Sequence, residues 1–130
     1  MSLLHFERYR FENLEVWTIA MRIVGEAYKI TSKFPKTETF ALVDQLKRAA
    51  TSIALNIAEG SGQQTAKSFM LYLNHSKSSV LECVACLRIA EQEGWVENED
   101  LTTINNLIKE EYFKLIALVK SLNKRNTIRE

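Results

Sequence analysis

Helix breakers are so scarce in this chain, and so well placed, that they constrain its architecture more than any other feature. One proline and four glycines occur in 130 residues, and with Gly25 as the one exception, Pro35, the Gly60 and Gly62 pair, and Gly94 separate long stretches free of both. The residue before a proline disfavours helical backbone, and glycine is the usual residue just past a helix end. Each intervening stretch carries apolar residues every third or fourth position, the helical period. The pattern predicts helices over about residues 13–33, 38–59, 65–93 and 100–124, with Thr37, Thr65 and Asn98 or Asp100 as caps. Short links set consecutive long helices antiparallel, so the expected fold is all-α, one up-down-up-down four-helix bundle spanning residues 1–130. Residues 1–10 and about 126–130 read as loose ends.

The second helix is unusual because its polar residues are spaced as regularly as its apolar ones. Leu42, Leu46, Ala49, Ile53 and Ile57 form a core stripe, while Gln45, Arg48, Ser52, Asn56 and Glu59 form another. Ala50, Ala54 and Ala58 leave a shallow face for a neighbouring backbone, and Gly60 reads as the helix end. Ser79 and Glu82 on the third helix extend the polar set. The preferred reading is a polar network between helices or subunits; the alternative is a ligand or nucleic-acid face, since Arg48 can grip a carboxylate or a phosphate.

The first helix carries more apolar surface than one bundle neighbourhood covers. Leu14, Trp17, Met21, Val24, Tyr28 and Thr31 read as its core stripe, and Val16, Ile19, Ala20, Ile23, Ala27 and Ile30 as a surplus one. With Phe113 and Ile116, outside the fourth-helix seam, that surplus predicts self-association, through Val16, Ile19, Ile23, Ile30, Phe113 and Ile116. The fourth helix uses Leu101, Ile104, Ile108, Leu115, Leu118 and Leu122, and Glu111 falls in this seam. A buried carboxyl needs a partner, and Arg48 or the Tyr28 hydroxyl would supply one.

Chemistry finds little foothold. His75, Ser79 and Glu82 share a face of the third helix, but side chains along one helix seldom supply an oxyanion site and mutual orientation. Glu59, Glu111 and Ser52 complete the catalytic candidates, no joint geometry follows, and no catalytic residue is assigned. Cys83 and Cys86 lack a second cysteine pair, and His5 and His75 are the only histidines, so buried thiols are expected rather than a metal site or any cofactor. Trp17 reads as core and Trp95 as a plug over a bundle end.

Seventeen basic residues against sixteen acidic ones leave a net charge of +1, which excludes a strong overall field for nucleic acid. A local patch remains, made of Arg22, Lys29, Lys33 and Lys36 along the first helix with Lys124 and Arg125 near the chain's end. No apolar run is long enough to span a bilayer and no signal-like stretch opens the chain, so a cytoplasmic location and no membrane partner are expected.

The run Gln45-x-x-Arg48-Ala49-x-x-Ser52-x-x-x-Asn56-x-Ala58-Glu59-Gly60 resembles the core motif of the 23S rRNA intervening-sequence proteins. Phe11-x-x-Leu14-x-Val16-Trp17-x-x-Ala20 and Phe34-Pro35-x-x-Glu38 extend the likeness over roughly residues 11–125. One departure is visible: Ser78 stands where the family's third helix carries glycine. The resemblance implies a four-helix bundle assembled into a ring-shaped homopentamer, with a dimer as second choice. Related accessory variability proteins of diversity-generating retroelements bind nucleic acid and a reverse transcriptase. What is implied here is a non-enzymatic homo-oligomeric module with weak, electrostatic RNA or DNA contact; the alternative is a scaffold for another protein.

Overall fold

The computed structural model describes residues 9–129, with side chains described as far as Arg125. A 3-10 turn over Arg10–Asn13 leads into α1 (Glu15–Thr31); a second over Lys36–Glu38 leads to α2 (Leu42–Ser61), α3 (Ala66–Gln92) and α4 (Asn98–Arg129). Among the described residues the fold is all-helical, and α1 closes the bundle by packing on both α2 and α4. Two ion pairs fix α1 and α4 as antiparallel. Lys33, just past the end of α1, meets Asp100 in the first turn of α4 at 2.9 Å, and Glu15, which begins α1, meets Lys114 at 2.8 Å.

Local signals terminate these helices as expected at three points. Thr65 accepts a hydrogen bond from the Ser68 amide at 3.1 Å and so caps α3. Gly94 takes φ +77° at the end of α3, a conformation that costs glycine nothing. Asp100 accepts from the Glu97 amide at 2.9 Å and thereby caps α4. At α2 the expectation fails: residues 36–38 form the 3-10 turn, Thr37 caps nothing, and the helix begins at Leu42. α4 also outruns its expected end, continuing to Arg129 where a loose tail was read.

The largest correction concerns α1. Val16, Ile19, Ala20, Ile23, Ala27 and Ile30 are buried in the core, whereas Met21 and Tyr28 are 48% and 51% exposed and Leu14, Trp17 and Val24 lie half-buried along the flanks. Apart from Thr31, which is buried as expected, the two stripes have exchanged roles. Helices pack closely where side chains are compact, and the Ala, Val and Ile face lets α1 approach α2 and α4 together. The aromatic residues suit an edge, where one side of the ring packs and the other meets water: Trp17 sits edge-on to Phe11 with centroids 4.5 Å apart, and Tyr28 lies under the Lys47 ammonium at 4.6 Å. Val16, Ile19, Ile23 and Ile30 therefore cannot form a subunit interface, though Phe113 is exposed and Ile116 half-buried.

Gly60 is likewise corrected. It lies inside α2, buried and without positive φ. A Cβ there would stand 2.8 Å from the Tyr72 Cβ and 2.9 Å from a Phe69 ring carbon. This glycine sets how closely α2 approaches α3. Glu111, in contrast, occupies the α4 seam as read from the pattern, fully buried.

Candidate interaction surfaces

The polar stripe of α2 divides in two when the helices pack. Its inner half faces α3 across a groove of about 430 Å³ lined by Ser52, Asn56, Tyr72, His75, Ser78, Ser79 and Glu82. There the Asn56 amide donates to the Ser52 carbonyl and hydroxyl oxygens at 2.9 and 3.0 Å, the Ser52 and Ser79 hydroxyls are hydrogen-bonded at 2.8 Å, and Gln45 donates to Glu82 at 3.1 Å. Such bonds hold the two helices in one register. The outer half faces solvent: Arg48 pairs with Asp44 one turn earlier at 2.9 Å, its side chain 78% exposed, and Glu59 is exposed.

These placements separate residues that the sequence grouped. Gln45 with Glu82 and Ser52 with Ser79 form the interhelical bonds, and Asn56 supports Ser52 from within α2; Arg48 and Glu59 do not join them. Neither Arg48 nor Tyr28 reaches Glu111, whose two carboxyl oxygens have no hydrogen-bond partner. Burial first, then the charges of Glu110 and Glu15, push its pKa up to about 9. The face shared by His75, Ser79 and Glu82 assembles no relay, because the Ser79 hydroxyl bonds Ser52 and the His75 carbonyl oxygen, the latter at 3.2 Å. Cys83 and Cys86 are buried thiols, and burial pushes Cys83 up to about 12.

Apolar side chains flank the groove on its outer side. Leu55 on α2 and Leu71 on α3 are 59% and 57% exposed, and Ile89 is exposed farther along α3. Leu71, Ser78, Ala85 and Ile89 follow one another at spacings of seven, seven and four, which places them on one line of the helix. In the sequence this line is masked by the larger run of apolar residues on α1.

The basic residues do not form one patch. Lys33 and Lys36 lie at the bundle end where α4 begins, while Lys124 and Arg125 lie about 38 Å away along α4. Antiparallel topology alone could have separated them. Lys29 is paired with Glu26 at 3.7 Å and Lys33 with Asp100, a contact that raises the Lys33 pKa, while Arg22 stands exposed midway along α1. The far end gains a cation from the segment read as loose: Arg10 donates to the Ser61 carbonyl at 3.2 Å and lies 5.5 Å over the Phe69 ring.

Among the described residues no helix is long and apolar enough to cross a membrane. The family model described as 23S rRNA-intervening sequence protein matches residues 12–117. The chain is similar in fold to a crystal structure, at 1.70 Å resolution, of a protein of unknown function from the S23 ribosomal protein family of Bacteroides thetaiotaomicron VPI-5482. The TM-score is 0.74 at 23% identity, covering 81% of this chain and 98% of that one. No curated protein matches the chain.

Proposed function

The chain belongs to the 23S rRNA-intervening sequence protein family, and on that footing we propose that it is a non-enzymatic binding module that works as a homo-oligomer, a cyclic pentamer before a dimer. The observation that carries this reading is the outer face of α2 and α3, where exposed Leu55, Leu71 and Ile89 border a groove in which Ser52, Asn56, Ser79 and Glu82 are already hydrogen-bonded. Apolar groups around a partly satisfied polar strip can be covered by a second copy that has only the Tyr72, His75 and Ser78 side chains left to partner. The exposed Phe113 of α4 belongs to a different face. The non-enzymatic part rests on the Ser79 hydroxyl being bonded to Ser52 and a carbonyl oxygen instead of to an imidazole.

Polyanion contact, with RNA or DNA, is the second part of the proposal. Cyclic symmetry would repeat each bundle end around a rim, so a few cations per subunit would act together. The end holding Arg10, Lys124 and Arg125 is favoured, because at the other end Lys33 already has a carboxylate. A salt-dependent titration against structured RNA and duplex DNA tests it. Affinity should fall steeply with added salt, and Lys124→Glu with Arg125→Glu should weaken it more than Lys33→Glu with Lys36→Glu. Binding that is absent at low salt would leave the second reading, a scaffold for another protein, favoured by the pairing of Lys29, Lys33, Arg48, Arg88 and Lys114 with acids.

A further inference from the structure

The bundle end formed by the start of α3 and the last turns of α4 contains a cavity of about 400 Å³, within the range of small-ligand sites. Arg10 and Arg125, which enter it from opposite ends of the sequence, line it together with Gln64, Thr65, Phe69 and Leu122. Among the described residues no carboxylate lines it. Among the described residues, five basic side chains elsewhere on the surface have an acidic partner within 4.0 Å, whereas Arg10 has no acidic partner and Arg125 no polar one.

Two like charges converging on one cavity repel each other unless an anion lies between them. Arg10 is held in place for such a ligand, since one guanidinium nitrogen donates to the Ser61 carbonyl and its plane packs over Phe69, leaving further N–H donors free. Its position does not depend on ligand binding. The Thr65 hydroxyl already caps α3, and the positive end of that helix adds to the field without carrying the site.

From these two guanidiniums and their shared cavity we infer that this end of the bundle is a binding site for a phosphoryl group. Arg10 approaches from the turn before α1, Arg125 from α4, and the Gln64 amide from the link between α2 and α3. Donors arriving from three sides match the tetrahedral oxygens of a phosphate, whereas a carboxylate offers two oxygens in one plane. Leu122 and Phe69 form an apolar wall that limits competition from water. The site deepens the polyanion part of the proposed function and is independent of self-association, because all its residues come from one chain.

The source of the phosphoryl group is a free phosphate or a nucleic-acid backbone. The test follows the arginine Nε–Hε resonances of the full chain at low salt while inorganic phosphate is added. Arg10 and Arg125 should shift together along one saturating curve, and Arg125→Ala should weaken binding about tenfold, the loss of one charge-assisted hydrogen bond. Arg125 lies at the exposed end of α4, so the variant should keep the parent's helical circular dichroism and melting temperature. Short single-stranded RNA without terminal phosphates, added as competitor, separates the sources: displacement of phosphate points to the backbone, and no displacement to free or terminal phosphate. Either result upholds the site. It is overturned if neither probe saturates, if acetate shifts both resonances equally well, or if Arg125→Ala binds phosphate as tightly as the parent. A monomeric mass would end the oligomer reading and leave this site standing.

Discussion

The groove between α2 and α3 and the core position of Glu111 set polar side chains against helix contacts, with opposite outcomes. In the groove, Gln45 finds Glu82 and Ser52 finds Ser79, because both helices offer polar groups at the same levels, and Asn56 adds a bond to Ser52 from the next turn of α2. In the core, the neighbouring helices offer apolar side chains and backbone amides already engaged, and both Glu111 oxygens are left without a partner. Ser76 shows that burial alone is not the difficulty. Its hydroxyl, fully buried, donates to the Ile53 carbonyl at 2.9 Å, since a helix carbonyl retains a free lone pair. An ionised carboxylate only accepts, so a helix interior has little to give it, and Glu111 keeps its proton instead. The groove thus contributes register, and Glu111 subtracts stability.

The contrast can be broken most sharply at Glu111. With a pKa near 9 in the fold against 4.5 in the open chain, the folded form holds the proton longer, so stability falls as pH rises from about 4.5 to 9 and levels off above. At pH 7 the cost is about 3 kcal/mol. Glu111→Met should therefore raise stability by about that amount at pH 7, gain far less at pH 4, and flatten the slope between; urea melts across this range check it. Gly60→Ala tests the closeness of the groove. The added methyl would meet Tyr72 and Phe69 and force α2 from α3, lowering stability by about 1–3 kcal/mol despite alanine's better helix propensity.

Smaller effects sharpen the same comparison. Ser79→Ala should cost about 1 kcal/mol, and a double-mutant cycle with Ser52→Ala should show that the two losses are coupled. Arg48→Ala should change stability by less than about 0.5 kcal/mol, because its pair with Asp44 is exposed and spans one turn. A larger loss would mean that the outer half of the stripe belongs to the network after all.

Much of the fold was legible because local rules governed it: Gly94 and the Thr65 cap mark helix ends, and most of the α4 seam could be read from its spacing, Glu111 included, though Leu107 was missed and Leu118 is only half-buried. The inner face of α1 was not, because two apolar stripes compete there and bulk favours Trp17, Met21 and Tyr28, whereas close packing favours Ala20, Ile23 and Ala27. Gly60 misled for a related reason. At the end of an apolar run a glycine looks like a cap, and only the approach of Phe69 and Tyr72 from α3 reveals its role as a contact. Of the polar set, the four residues that bond across α2 and α3 were found from periodicity, which cannot tell an inward hydroxyl from an outward guanidinium. Arg10 gave no signal, since its significance lies in a carbonyl and a ring more than fifty positions away.

The proposed homo-oligomer requires the outer face of α2 and α3 to be covered by a second copy of the chain. Sedimentation equilibrium at micromolar concentration, run on the parent and on Leu55→Asp, addresses it directly. The parent should show a multiple of the 15.0 kDa chain mass, five-fold before two-fold, and Leu55→Asp should fall to a single chain with its helical circular dichroism unchanged, since Leu55 takes no part in the core. A parent that sediments as one chain, or a variant that keeps the parent's mass, would contradict it.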